Sequence, residues 1–524
     1  MMKPISTKVM NLAHFADQSA RRHGQRLALA WGKSKWNWSE FNARINAMAI
    51  VLTNDYGVQK GDRILVQSSN CNQLFESMIV CFRIGAVWVP ANFRGTPDDL
   101  EWQAKSSGAV GMICHADFPQ HVATCKNHVR FVIAIGVSDF GENYDDLVDR
   151  HLGQFAPLCE VERDDPCWLF FTSGTTGKPK ASVLTHGQMA FVITNHLADL
   201  LPGTTEYDVS VVVAPLSHGA GLHALIQIAR GAASILPAGK GFDAEEIWHL
   251  IDNYGVTNIF TVPTILKLLV EDPTVDIVDH SSLRHIIYAG APMYRVDQIY
   301  ALKKLGPVLV QYFGLGEVTG NITVLPPSHH SITEEIRLGT CGFARTGIQI
   351  QIQDDEGIEV NPNETGEFCV IGPAVFAGYW DNDDANSKAF RNGWFRTGDV
   401  GHMDAEGFYY LTGRKSDMYI SGGSNIYPRE IEEKILANTD ISETAVFGIP
   451  DEKWGEIGIA ICVLRKGSSS SEVELKKFLS EKVARYKMPK EFHFWDSLPK
   501  SGYGKITKKM VREEFLSKKI TNKR

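Results

Sequence analysis

The nine cysteines include no CxxC pair, which excludes a zinc knuckle and a disulfide framework and favours a reducing compartment. No apolar run reaches ~18 uninterrupted residues. The most apolar stretches, 78–89 and 209–236, are broken by Arg83 and by Pro215, His218 and Arg230, so no spanning helix is expected. The first 21 residues have Lys3 and Lys8 but no continuous apolar core of a secretory leader. There Val9, Leu12 and Phe15 recur at helical spacing. Basic excess is missing too: 53 Lys and Arg against 61 Asp and Glu give a formal charge of −8, which leaves the molecule no general electrostatic case for gripping nucleic acid. No internal repeat is present.

What is present is a long, ordinary globular chain. Its 524 residues, at about 100–200 per domain, predict roughly two to four domains, and 44% hydrophobic with 22% charged residues excludes disordered and collagen-like classes. From Asp62 onward, short β-branched runs alternate with longer amphipathic stretches: 63–67, 74–84 and 87–90 open a rhythm that recurs at 110–114, 131–135, 168–171, 209–213, 258–260, 286–289 and 308–312. One large α/β body of layered sheets is the economical reading. At 348–354 and 366–371 the pattern becomes alternating, with Asp-Glu-Gly and Asn-Pro-Asn-Glu turns, which predicts antiparallel hairpins.

Residues 476–524 hold 15 Lys or Arg against 5 Asp or Glu, a net of +10 that leaves −18 for the rest. A solvated basic surface and attraction of a polyanionic ligand both fit that asymmetry. The polar Gly413-Arg414-Lys415-Ser416 segment precedes a fresh βα pattern, so a boundary is expected there, with domains 1–415 and 416–524. The fold class expected is α/β: a large N-terminal body of layered sheets with helices, plus a small mobile α+β C-terminal domain.

The strongest local signal is Phe171-Thr172-Ser173-Gly174-Thr175-Thr176-Gly177-Lys178-Pro179-Lys180, a hydroxyl- and glycine-rich loop directly after an apolar run. Glycines let backbone N–H groups converge on an anion, hydroxyls add donors, and Lys178 adds charge. It is not a P-loop: only Thr175 and Thr176 separate the glycines, and Pro179 follows the lysine. With Thr185-His186 just beyond, the segment resembles the signature of the adenylate-forming enzymes, which include acyl-CoA synthetases, luciferases and adenylation domains. Further matches follow in family order: Pro215-Leu216-Ser217-His218, Gly290-Ala291-Pro292, Gln311 to Glu317, Gly378-Tyr379-Trp380, Thr397-Gly398-Asp399, Gly413 to Asp417 and Pro499 to Lys505. Nearly the whole chain is covered.

The resemblance implies an AMP-forming acid–thiol ligase: a carboxylate attacks the α-phosphate of ATP, and a thiol then displaces AMP from the acyl-adenylate. It implies ATP, Mg²⁺ and coenzyme A as cofactor and co-substrates; the reducing compartment read from the cysteines points to the cytoplasm. By position, Lys505 would bridge carboxylate and α-phosphate, Glu317 would hold Mg²⁺ with Thr175 as a second contact, and His218 would shape the acyl site. Asp399, supported by Arg414, would accept hydrogen bonds from the ribose. Thr172 to Lys178 would hold phosphates; Gly290, Ala291, Pro292, Phe313, Gly314 and Gly316 would line the rest of the nucleotide. Ser416 takes the hinge position. Gly422 and Gly423 resemble the loop lining the pantetheine path, with Trp454, Tyr486, Lys487 and Lys490 facing the CoA nucleotide and phosphates.

Gly316 stands where the family usually has a Thr donor to the α-phosphate, Phe313 where Tyr is usual, and Ala181 where Gly is common. The sequence favours tolerance of Gly316→Thr, since Leu315 and Glu317 carry no other turn signal. The acyl pocket is expected near 218–221, 288–290 and 310–315, where small residues would leave volume. No Asp near Ser217 is placed to hold an ammonium, which disfavours amino acids. Medium- or long-chain fatty acids are the first expectation and aryl acids the second. Two rivals are a catalytically impaired nucleotide- or acyl-binding homologue and a phosphotransferase that borrows the loop.

Overall fold

A computed structural model describes residues 6–172, 178–239, 241–291, 293–331, 339–500 and 506–521. Two sheets organise the body. The first has seven strands, ordered Lys180–Thr185, Pro166–Thr172, Val87–Pro90, Arg63–Gln67, Gly111–His115, Phe131–Ile135 and Glu142–Asn143; it is parallel except at the Lys180–Thr185 edge. The second is larger. Its parallel centre runs through Leu27–Trp31, Ala233–Leu236, Val209–Val212, Asn258–Thr261, His285–Tyr288 and Leu309–Phe313. Beyond Leu309–Phe313 every pairing is antiparallel, out to the Gln349–Gln353/Gly366–Ile371 hairpin. The expected hairpins therefore extend the parallel sheet.

Helices Asn72–Ile84, His186–Asp199 and Gly219–Arg230 share one apolar core with Ile64, Trp88 and Trp168 of the first sheet and Val212, Phe260 and Tyr312 of the second. They form the layer between the sheets. Side-chain alternation splits the second sheet: Phe260, Ile287, Ala289, Val310 and Tyr312 face that layer, while Ile259, Ile286, Tyr288 and Leu309 enter a separate core on the far side. Helix Gly219–Arg230 ends on Gly231 at φ 72°, a left-handed cap that turns the chain straight into Ala233–Leu236.

One local expectation fails. Val9, Leu12 and Phe15 do not share a helix: Lys8–Val9 pairs with Val161–Glu162, and helix His14–His23 starts only afterwards. Short-range periodicity was outweighed by an available strand edge.

The sheet changes between Arg414 and Tyr419. A five-stranded sheet begins with Tyr419–Ser421 and Ser424–Ile426, continues through Ile441–Asp451 and Gly455–Leu464, and takes Glu491–Phe494 in parallel. Helices Pro428–Leu436, Glu472–Leu479 and Lys508–Thr521 accompany it. This is the C-terminal domain. It packs on the body through Tyr294, which joins the small domain's core, and through Lys267 Nζ donating to the Ser442 carbonyl at 3.3 Å. Among the described residues no helix is long and apolar enough to cross a membrane.

Candidate active site

The apolar strand Pro166–Thr172 and its antiparallel neighbour Lys180–Thr185 carry the two ends of the glycine-rich loop. Ser173, Gly174, Thr175, Thr176 and Gly177, together with Pro292 and Lys505, lie outside the described residues. Segment 377–380 adds itself to the free side of Lys180–Thr185: Trp380 N–H donates to the Ala181 carbonyl at 2.8 Å and Val183 N–H to that of Gly378 at 2.9 Å. This places Tyr379 over the loop's exit, with Lys180 Nζ 4.3 Å from its ring centroid. Lys178 instead lies 4.3 Å over Trp102, whose indole N–H donates to the Pro179 carbonyl at 3.1 Å.

Glu317 sits on a single 3₁₀ turn, Gly316–Val318, just after the Leu309–Phe313 strand. It is only 7% exposed, and its Oε1 accepts from Tyr379 OH at 2.9 Å and Thr172 Oγ1 at 3.2 Å. Burial, then the Glu317 charge, push the Tyr379 phenol well above its usual range, so it remains a donor. Both bonds fall on Oε1. Oε2 accepts no hydrogen bond among the described residues, and no cluster of three acidic, His or Cys side chains is present among them. That donor set suits Mg²⁺, which takes one or two carboxylates and completes its shell with phosphate and water. Tyr379 belongs to the Gly378-Tyr379-Trp380 motif, but no local sequence signal points from it to Glu317.

Asp399 lies in the strand Trp394–Met403 beside Tyr409–Arg414, paired in register with Arg414. Arg414 Nε donates to Oδ1 at 3.1 Å, while the buried Oδ2 has no partner among the described residues. Burial raises the Asp399 carboxyl, Arg414 opposes that shift, and the same contact raises the guanidinium. A buried carboxylate with one oxygen held and one open suits a polyol ligand.

His218 precedes helix Gly219–Arg230 and stacks on Phe170, centroids 4.6 Å apart. Phe170 also decides Gly316: a Cβ there would lie 2.7 Å from its ring and 2.9 Å from Thr172 Cγ2. This counts against the expected tolerance of threonine, because a side chain there must displace the strand before the loop. Gly314 is fixed by the close backbone approach of Gly320. Phe313 packs edge-on to Phe368 at 5.5 Å, and Gly290, at φ 80°, turns the chain away after the His285–Tyr288 strand, followed by Ala291.

The acyl region also differs from expectation. Gly219 does not leave volume: a Cβ there would stand 2.5 Å from Phe260 Cζ, and Gly221 is closed in by Trp168 and the Leu216 carbonyl. Tyr288 points to the far core, where its hydroxyl accepts from Gln298 Nε2 at 2.7 Å, so only Ala289 of that trio faces the helix layer.

On the small domain, Gly422 and Gly423, φ 58° and 80°, make the two-residue turn between Tyr419–Ser421 and Ser424–Ile426. Gly422 N–H donates to the Trp454 carbonyl at 2.9 Å, and the half-exposed Trp454 ring covers that glycine, with Lys453 and Lys490 5.3 and 5.5 Å from its centroid. Tyr486 is exposed beside Lys487. Lys487 is not a free phosphate partner: its Nζ is bound to Glu430 at 2.6 Å. Ser416 is the third residue of a turn closed by Asp417 N–H to the Arg414 carbonyl at 3.0 Å, between the two sheets.

Residues 16–380 match the model of the AMP-binding enzyme and 430–505 that of the AMP-binding enzyme C-terminal domain. The chain belongs to the AMP-binding enzyme family. Within it, a feruloyl-CoA synthase of Amycolatopsis sp is 33% identical over 95% of this chain and 97% of the relative. A long-chain-fatty-acid–CoA ligase of Mycobacterium tuberculosis is 32% identical over 92% and 93%. The o-succinylbenzoate CoA synthetase of Bacillus subtilis, solved with its acyl-adenylate intermediate, superposes with a TM-score of 0.84 at 28% identity, covering 97% and 99% of the two chains. As a member of the AMP-binding enzyme family this chain is an AMP-forming acyl-CoA synthetase that uses ATP, Mg²⁺ and CoA.

Proposed function

We propose that the enzyme activates a hydrophobic aryl carboxylic acid, with alkyl acids the poorer substrates. Phe260 carries this reading: its ring edge occupies the space beside Gly219 that a long chain would need, and it stacks on Tyr312 at 6.0 Å and 21°. With Phe170 stacked on His218 at 26°, packed aromatic rings stand on the acyl side of the site, surroundings that favour an aromatic acid over a flexible chain. Relatives named for feruloyl-CoA and indoleacetate support it, and one named for long-chain fatty acids supplies the competing outcome.

In the first half-reaction the acid's carboxylate oxygen attacks the α-phosphorus of ATP and the bond to pyrophosphate breaks. Thr172 and Lys178, with Ser173 to Gly177 between them, hold phosphates, and Asp399 with Arg414 grips the ribose. Gly290, Ala291 and Pro292 pass along adenine, with Phe313 against it. Lys505 places positive charge where it builds up in the transition state. Mg²⁺, when bound, neutralises phosphate charge, and Glu317 with Thr175 would hold it. In the second half-reaction the CoA thiolate attacks the acyl carbon and AMP leaves, with Gly422, Gly423, Trp454, Tyr486 and Lys490 on the CoA side. Because Lys505 and the Gly422-Gly423 turn share domain 416–524 but serve different steps, that domain turns about Ser416. Nine thiols free of disulfides suit the cytoplasm.

The test is pyrophosphate exchange across cinnamic, indole-3-acetic, octanoic, dodecanoic and hexadecanoic acids. Aryl acids are expected to lead by roughly tenfold in kcat/KM, and Phe260→Ala to raise exchange with the alkyl acids. A best rate on hexadecanoic acid in the unaltered enzyme overturns the aryl reading.

A further inference from the structure

Behind the aromatic wall lies a charge that the two half-reactions do not use. Arg345, just past the Thr340–Ala344 strand, has a fully buried side chain, and burial pulls its guanidinium down to about 10. That still leaves it charged at neutral pH, and a buried charge needs acceptors. Its surroundings supply few. Nη2 lies 3.2 Å from His196 Nδ1, but that nitrogen is also 3.0 Å from the Val192 carbonyl oxygen. Burial, then Arg345, hold the His196 ring neutral, so Nδ1 either donates to the Val192 carbonyl or accepts from the guanidinium and cannot do both. Asp199 Oδ2 is 3.6 Å from Nε and already accepts from Asn195 Nδ2 at 3.0 Å and Thr346 N–H at 2.9 Å. Nε and Nη1 make no hydrogen bond among the described residues.

The cluster is continuous with the acyl wall. His196 packs edge-on to Tyr312 at 6.2 Å, and Tyr312 stacks on Phe260, the ring beside Gly219. We propose that Arg345, framed by His196 and Tyr312, is a specificity-determining subsite for an acceptor oxygen, phenolic or carboxylate, at the far end of the acid. This rests on the acyl site placed above. A charge-assisted hydrogen bond to such an oxygen satisfies donors that an unsubstituted acid leaves unpaired, the situation in which bare analogues are rejected most strongly.

Two matched pairs test it by pyrophosphate exchange: 4-hydroxycinnamic against cinnamic acid, and dodecanedioic against dodecanoic acid. In the better-used pair the oxygen-bearing acid is expected to lead by roughly 10–100-fold in kcat/KM. Arg345→Met, of similar volume, should bring that ratio close to one while exchange with the bare acid stays within about threefold. Arg345→Lys keeps the charge but loses the planar fork, so it should lower the ratio several-fold, and it decides the matter if the Met variant does not fold. A ratio near one in the unaltered enzyme, or an unchanged ratio in the variants, overturns the subsite and leaves the aryl reading standing. Exchange with the alkyl pair alone overturns the aryl reading, and the alkyl ratio then judges Arg345. Exchange with neither pair overturns both.

Discussion

The carboxylate half of the site and the thiol half are built differently. Glu317 and Asp399 are each 7% exposed and already hold protein partners: Tyr379 and Thr172 for one, Arg414 for the other. Trp454 and Tyr486 stand 42% and 55% exposed, and Lys487 is bound to Glu430. Groups that meet developing phosphate charge gain by being fixed beforehand, since reorganisation then costs nothing at the moment of reaction. A surface that meets a long flexible thiol carrier gains little from such rigidity. Substitutions should therefore cost much in the first half and little in the second.

The largest effect is expected at the charges proposed to meet the phosphates. Lys505→Ala and Glu317→Gln should each slow adenylate formation by roughly 10²–10³, as loss of one preorganised electrostatic group does. Reaction of a preformed acyl-adenylate with CoA should fall much less; equal slowing of both steps would break the division between the halves. The buried histidines come next. Burial holds His186 and His223 down at about 4, so the unfolded chain binds more protons between pH 6.5 and 4, and stability is full above 6.5 and lost as pH falls through that window. Each can contribute roughly 3 kcal/mol over it. Melting temperature should drop steeply from pH 7 to 5, and a flat profile would remove these rings from the account. Gly316→Thr should destabilise by about 1–3 kcal/mol through overpacking on Phe170 and Thr172. A melting point at or above that of the unaltered protein, with exchange intact, would show that the strand yields. Trp454→Ala should raise the KM for CoA by only about three- to tenfold, the scale of one exposed ring–cation contact, leave pyrophosphate exchange unchanged, and exceed the effect of Lys487→Ala. A larger effect from Lys487 would mean that its pair with Glu430 opens when CoA binds.

The fold class was legible because the β-branched runs at 63–67, 131–135 and 258–260 are buried on both faces and read as strands without tertiary help. Glu317, Asp399 and Arg414 could be named as candidates because a motif keeps its residues adjacent in sequence. The filling of space was not. Phe260 beside Gly219 and Phe170 beside Gly316 are meetings of residues dozens of positions apart, and a glycine in a sequence does not say whose atoms stand where its side chain would be. The Tyr379–Glu317 bond spans 62 residues for the same reason. Arg345 carried no motif, and only burial makes it conspicuous.

The second sheet's two faces lie in different cores, Phe260, Ala289 and Tyr312 on one side, Ile259, Tyr288 and Leu309 on the other. Residue parity along these strands thus becomes a ledger of evolutionary freedom. If the acyl site lies where proposed, changes on the first set would reshape which acid is accepted while the packing on the second set holds the scaffold, so new substrate preferences would arise by drift on alternate residues of the same few strands.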